Sequence, residues 1–180
     1  MQTFIACLKL IFINNSMKIL VCGLPGAGKT WLAERLQKNI KNCAWYNADF
    51  VRKYSNDWDF EVDGRIRQAN RMKAFADFEK SQGRHVICDF VAPTNKVRQS
   101  FAADCLIWMD TVKEGRVVSA KLNQLKDIEN LPFDAEQLST SKKFDDTNKM
   151  FENPNNPDIH ITSFLSDEEI KELAEKIKNV

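Results

Sequence analysis

The sequence predicts a three-layer α/β/α fold built on a mainly parallel five-stranded sheet. Three observations carry that expectation. Short apolar runs of strand length alternate with longer stretches of helical periodicity, which is the pattern of successive βαβ units. Two of those runs lead into an aspartate at the strand's C-terminal end, the rim where open α/β sheets bind ligands. The first run, Met17–Cys22, passes into Gly23-Leu24-Pro25-Gly26-Ala27-Gly28-Lys29-Thr30, which fits the phosphate-loop pattern G-x-x-x-x-G-K-[ST].

A strand, a glycine-rich turn and a helix start are what a triphosphate site requires. Glycines let successive N–H groups curl inward around an anion. The helix N-terminus adds unpaired N–H groups and partial positive charge. Lys29 then reaches the β- and γ-phosphate oxygens of ATP, and the Thr30 hydroxyl holds Mg2+.

Bulk composition narrows the field. A chain of 180 residues is one domain with enough bulk for a core. Its net charge of +1 gives no polybasic surface, so nucleic acid is not expected as a partner. No run of about 18 apolar residues is present to span a membrane. Cys7, Cys22, Cys43, Cys88 and Cys105 are odd in number and lack C-x-x-C spacing. They read as small buried residues in a reducing cytoplasm rather than a disulfide or zinc framework. Residues 1–16 form an N-terminal extension, loosely like a signal peptide but without a basic start or a cleavage site. They are either dispensable, with Met17 as an alternative start, or an added edge element. The domain proper is 17–180.

The first helix is expected over Gly28–Asn39, and Cys43–Asn47 is the second strand. Asp49 follows it on the ligand rim. It is either a base or magnesium-shell ligand near the γ-phosphate, or the helix N-cap that Asp favours. Lys53–Phe60 interleaves aromatics with polar residues, as a flap that stacks on a planar base or as loop packing would. Gly64–Gln82 is a long helix with an apolar face of Ile66, Ala69, Met72, Phe75, Ala76 and Phe78. Arg65, Arg67 and Arg71 lie near its start, and the last two share a face. Arg84–Asp89 is the third strand, ending in Asp89 in the arrangement that orients magnesium. Thr94 opens a helix carrying Arg98, and Asp104–Asp110 is the fourth strand. Residues 111–155 read as a lid region in which 117–143 carries no evident chemistry. Asp158–Thr162 is the fifth strand. Ser166-Asp167-Glu168-Glu169 is a capping box opening the last helix, with Ile170, Leu173, Ala174 and Ile177 inward.

With these pieces in place the chain resembles the adenylylsulfate kinase family, phosphate-loop kinases of the nucleoside-monophosphate-kinase type. The resemblance runs over Met17 to about Arg116 and from Phe144 to the C-terminus. Gly23–Thr30 matches the family loop, and Asp49-Phe50-Val51-Arg52 looks like its D-x-V-R element. Val91-Ala92-Pro93 with Arg98 is similar to its I-S-P…R segment. The resemblance implies ATP and Mg2+ as cofactors and the 3′-hydroxyl of adenosine 5′-phosphosulfate as acceptor. It implies Asp49 near the reacting hydroxyl, Arg52, Arg65, Arg71 and Arg98 on the acceptor, and Phe60 stacked on its base. It also implies a homodimer. Gln68 stands where the family has a substrate-binding Asn, Asn70 replaces an Arg, and Asp89 replaces a small residue. The family lid sequence K-G-L-Y is absent, and Lys113 or Lys149 takes the place of its lysine. Residues 117–143 read as a lid insertion. Two other readings stand beside this one. The first is a polynucleotide or nucleotide kinase. The second is a nucleotide-binding protein that the insertion has made inactive.

Overall fold

The structure, a computed structural model, describes residues 16–113 and 147–178. The expectations for residues 1–15 and for the insertion at 117–143 lie outside the described residues. Among these residues the five strands are β1 (Lys18–Gly23), β2 (Cys43–Asn47), β3 (His85–Asp89), β4 (Cys105–Met109) and β5 (Ile159–Ile161). They form one sheet in the order β2-β3-β1-β4-β5. All four pairings are parallel. Every strand therefore ends on the same rim, and the expected α/β/α architecture holds.

The central strand explains the layering. Ile19, Leu20, Val21 and Cys22 are all fully buried, because a parallel strand in mid-sheet has helices over both faces. Alternation then divides the core. Ile19 and Val21 point to the face covered by α1 (Lys29–Asn39) and α5 (Asp167–Lys178), against Leu32, Leu36, Ile170 and Ile177. Leu20 and Cys22 point to the face covered by α3 (Val62–Ser81) and α4 (Asn95–Phe101), against Met72, Ala76 and Phe101. Burying each large aliphatic side chain contributes about 1.5–3 kcal/mol. Cys22, Cys43, Cys88 and Cys105 are buried free thiols, as expected.

The long helix α3 is phased differently from its apolar pattern. Its buried stripe is Gly64, Gln68, Met72, Ala76 and Glu79. Ile66 is 50% exposed and Phe78 60% exposed. The polar members of the stripe are buried because each finds a partner. Glu79 accepts from the Tyr46 hydroxyl at 2.7 Å and from Arg84 at 2.6 Å. Gln68 donates to the Ala48 carbonyl at 3.0 Å. A satisfied polar group costs little to bury, so the helix follows these partners instead of its hydrophobic count.

The helix starts are sharply made. Ser166 and Glu169 exchange both capping-box hydrogen bonds, at 2.7 and 3.2 Å. Thr94 caps α4 by accepting from the Val97 N–H. The cap of α2 (Ala48–Tyr54) is Asn47, whose side-chain oxygen accepts from the N–H groups of Asp49 and Phe50, both at 3.0 Å. Asp49 is thus one position inside the helix, and its carboxylate does not serve as the cap.

Candidate active site

The loop from Gly23 to Thr30 joins the end of β1 to the start of α1. Gly28 is left-handed, with φ 86°, and a Cβ there would lie 2.6 Å from the Phe164 ring. Only glycine meets both conditions. The Lys29 ammonium lies across the loop and donates to the Leu24 carbonyl at 2.8 Å. Desolvation holds its pKa below the ordinary lysine value, while the charges of Asp89 and Asp49 oppose that shift.

Parallel register assembles the next layer. β3 places Asp89 beside Val21 of β1 on one side and beside Asn47 of β2 on the other. The Asp89 carboxylate, 2% exposed, receives three donors. Thr30 Oγ1 donates at 2.8 Å, Asn47 Nδ2 at 2.8 Å and Trp45 Nε1 at 2.7 Å. Burial pushes the carboxyl above its ordinary range, and those three hydrogen bonds with the Lys29 charge pull against it. A hydroxyl and a carboxylate meeting beside a phosphate loop are hard oxygen donors of the kind Mg2+ takes alongside phosphates and water. The residues present fit the ion. Trp45 and Asn47 were not among the residues expected from the sequence. Their signal was the two-residue spacing that turns both to one face at the end of β2.

Asp49 lies in the first turn of α2, just past the end of β2 and so on the same rim. It is open to solvent at the mouth, yet the protein around it still disfavours its charge and raises its pKa. The Lys29 charge opposes that rise and the Asp89 charge adds to it. The charges of Lys29, Asp49 and Asp89 therefore act on one another.

The arginines gather elsewhere, around the loop between α2 and α3. Arg52, 5% exposed, donates to the carbonyls of Asp57 (3.0 Å) and Asp59 (2.8 Å) and lies 4.5 Å from the Phe60 ring centroid. Arg65 donates to the Phe60 carbonyl and, at 3.0 Å, to Thr147 Oγ1. Arg71 donates to Gln68 Oε1 and to the Asp57 carboxylate. The expected acceptor residues Arg52, Phe60, Arg65, Gln68 and Arg71 are thus brought together. Arg98 is not among them. It is 5% exposed on α4 and donates to the carbonyls of Ala92 (2.5 Å) and Glu152 (2.6 Å) and to Asn95 Oδ1 (2.8 Å). That placement pins α4 to the segment before β5 and gives Arg98 a role in the fold.

A cavity of about 210 Å³ opens on the other side of the loop, between Leu24, Trp108, Asp110, Lys113 and Phe151. At its edge Asp110 pairs with His160 at 3.0 Å, and the His160 ring stacks on Trp108. Lys113 lies on its rim, 3.5 Å from Asp110 and 85% exposed. The cavity touches the phosphate loop through Leu24 and includes neither Asp49 nor the arginines.

A phosphate loop on this sheet order, with the carboxylate at the end of β3 hydrogen-bonded to Thr30, is the arrangement of the phosphate-loop kinase class. A solved adenylylsulfate kinase of Mycobacterium tuberculosis, in complex with AMPPNP and adenylylsulfate, shares the fold. Its TM-score is 0.60 at 18% identity, over 91% of this chain and 96% of that one. Within the class the assignment is narrower. The family model for adenylylsulphate kinase matches residues 15–162, and the chain belongs to that family. An adenylyl-sulfate kinase of Halothermothrix orenii is 24% identical over 168 residues, 86% of this chain and 83% of the relative. The cytidine diphosphoramidate kinase of Campylobacter jejuni is 31% identical over 88 residues, 47% of this chain. That match spans about half of the relative's length, 52%. The chain is accordingly placed by its family among the phosphate-loop kinases.

Proposed function

We propose that this protein transfers the γ-phosphoryl group of ATP to a hydroxyl of a small nucleotide-like acceptor, with the 3′-hydroxyl of adenosine 5′-phosphosulfate as the first candidate. One observation carries the reading: Asp49 and Asp89 lie on the rim of the phosphate loop, each within electrostatic reach of Lys29. Phosphoryl transfer spreads charge over the moving group, so catalysis is mostly positioning and electrostatics. The N–H groups of Gly23–Thr30 and the Lys29 ammonium hold the phosphates. Thr30 and Asp89 would hold Mg2+, which would supply positive charge against the phosphates. Asp49 takes or orients the acceptor proton, and its raised pKa brings it nearer to the working pH of a general base. Arg65 and Arg71 face the acceptor's oxyanions, while Arg52 supports Phe60 from beneath as the platform for its base. The protein works in the cytoplasm, as a homodimer. Among the described residues no helix is long and apolar enough to cross a membrane.

A second acceptor reading has its own support. The better-conserved half-length match is to a cytidine diphosphoramidate kinase, and Gln68 departs from the family's adenylylsulfate-binding Asn. The test is a panel. Radiolabelled ATP is offered with adenylylsulfate, cytidine diphosphoramidate, mononucleotides and a 5′-hydroxyl oligonucleotide. Label on adenylylsulfate supports the first reading, and label on the cytidine compound supports the second. Label on the oligonucleotide or the mononucleotides makes the protein a polynucleotide or nucleotide kinase. Transfer to none of them, with magnesium ATP still bound, overturns the enzyme reading in favour of a nucleotide-binding protein.

A further inference from the structure

Four arginines and two aspartates between α2 and α3 form one connected cluster, and only part of it is needed to hold the loop. Arg52 and Arg65 bind backbone carbonyls of residues 57, 59 and 60. Those bonds fix the chain's path. The Asp57 carboxylate accepts one bond within the loop, from the Asp59 N–H at 3.3 Å, and does something further. It fills the gap between Arg67 and Arg71, one turn apart on α3. Arg67 donates to both of its oxygens, at 2.7 and 2.9 Å, and Arg71 to one, at 3.0 Å. The Asp57 side chain is 11% exposed, so the guanidiniums enclose it. Two cations at i, i+4 repel each other. An anion between them relieves that repulsion, and the guanidinium fork accepts carboxylate and phosphate alike.

The pair is continuous with the catalytic rim. Arg71 also donates to Gln68 Oε1, and Gln68 donates to the carbonyl of Ala48, the residue before Asp49. Arg52, between them, feels the charges of Asp57, Asp49, Arg71 and Arg65. Asp59 is placed to take Arg67 alone, through one contact at 3.2 Å. If Asp57 withdrew, Arg67 would keep the Asp59 carboxylate, whereas Arg71 would be left with the neutral Gln68 Oε1.

We propose that Asp57 is a built-in counter-anion occupying the acceptor's oxyanion subsite, and that an acceptor binds by displacing its carboxylate from Arg71. This rests on the reading of Arg71 as an acceptor ligand. A tethered carboxylate competes at a high effective concentration. The subsite is therefore selective for a group with more charge and more acceptor oxygens than a carboxylate, such as a phosphate or sulfate ester, and rejects neutral or weakly anionic ones. Asp57 is a specificity-determining residue on this account and touches no reacting atom.

The probe is inorganic phosphate, titrated calorimetrically into the full chain. D57N is expected to bind it about tenfold tighter than wild type, in line with release of a hydrogen bond to a charged group. D57E keeps the counter-anion and stays near the wild-type value. The gain disappears in D57N/R71Q and persists in D57N/K29A, which separates this subsite from the phosphate loop and makes the result independent of any kinase activity. With an acceptor in hand, D57N lowers its KM while kcat moves less. No gain in a folded D57N, or a gain that survives R71Q, overturns the proposal and leaves Asp57 as a staple of the loop. If D57N does not fold, thermal protection by phosphate is compared in K29A and K29A/R71Q. Protection lost on removing Arg71 supports the subsite, and equal protection overturns it.

Discussion

At the scale of the residue, the proposed chemistry falls to two side chains, Lys29 and Asp49, whose charges act on each other. Lys29→Ala removes the ammonium proposed to meet the γ-phosphate. Its hydrogen bond in the protein is to the Leu24 carbonyl, so the fold survives. Turnover is expected to fall by at least about 10²-fold, the size of losing one preorganised donor. Circular dichroism and a radiolabel assay on the same sample check both halves, and activity retained in the folded variant would contradict the site. Asp49 sets the acid side of the pH profile. Its folded pKa lies above the ordinary aspartate value, and only the carboxylate can accept a proton. Activity therefore rises with pH through that raised value. It falls again as Lys29, held below the ordinary lysine value, loses its proton. Asp49→Asn is expected to remove the acid limb and lower kcat by 10²–10⁴-fold, roughly the contribution of a general base. An unchanged acid limb would assign it to another group.

At the scale of the element, the α2–α3 connection and the α4 anchor are the two places where one atom matters. Gly64 sits in the first turn of α3, and a Cβ there would come within 2.4 Å of the Asp59 carbonyl oxygen, with other Asp59 atoms as close. Backbone cannot yield as a flexible side-chain tip does. Gly64→Ala is expected to shift residues 57–60, cost about 1–3 kcal/mol as overpacking does, and raise the acceptor KM without weakening nucleotide binding. Equilibrium denaturation and a nucleotide titration separate these effects. Arg98 is the second anchor. It ties Ala92, a non-glycine residue with φ 43°, to Glu152 through their carbonyls. Arg98→Met keeps the volume and removes both bonds, leaving the buried Ala92 carbonyl without this donor. A loss of about 1–3 kcal/mol follows from one unmet buried acceptor, read as a lower urea midpoint at unchanged slope.

At the scale of the whole molecule, the site works against the fold. Asp49 and Asp89 have folded pKa values raised above their unfolded ones. The stability they contribute is fully present below the ordinary aspartate value and is lost as pH rises through the raised values. Asp57 and Asp77 have lowered values, so their contribution is present above the ordinary value and lost as pH falls through the folded one. From these four carboxylates the ligand-free protein is expected to be most stable near the ordinary aspartate value and to soften toward neutrality. Magnesium ATP reverses that slope, because a cation beside Asp89 favours its charged form and binding to the native state adds stability. Melting temperatures across pH, with and without magnesium ATP, test this. Parallel curves would separate the carboxylates from the ligand site.

The sequence by itself determined the strand–loop–helix at Gly23–Thr30, the strand ending at Asp89 and the capping box at Ser166. Each of these is written in residues within a turn or two of one another, where spacing and local sterics act directly. The phase of α3 was misread from the same kind of local pattern, because buried Gln68 and Glu79 are tolerated only through partners far along the chain. The tertiary structure alone decided that Asn47 and Trp45 reach Asp89, since that depends on the register of two parallel strands. It likewise decided that the 57–60 loop folds back under four arginines and that Arg98 serves the fold. Backbone hydrogen bonds between distant strands, and charge pairs that close only when helices dock, have no short-range signature. They are fixed by which surfaces meet.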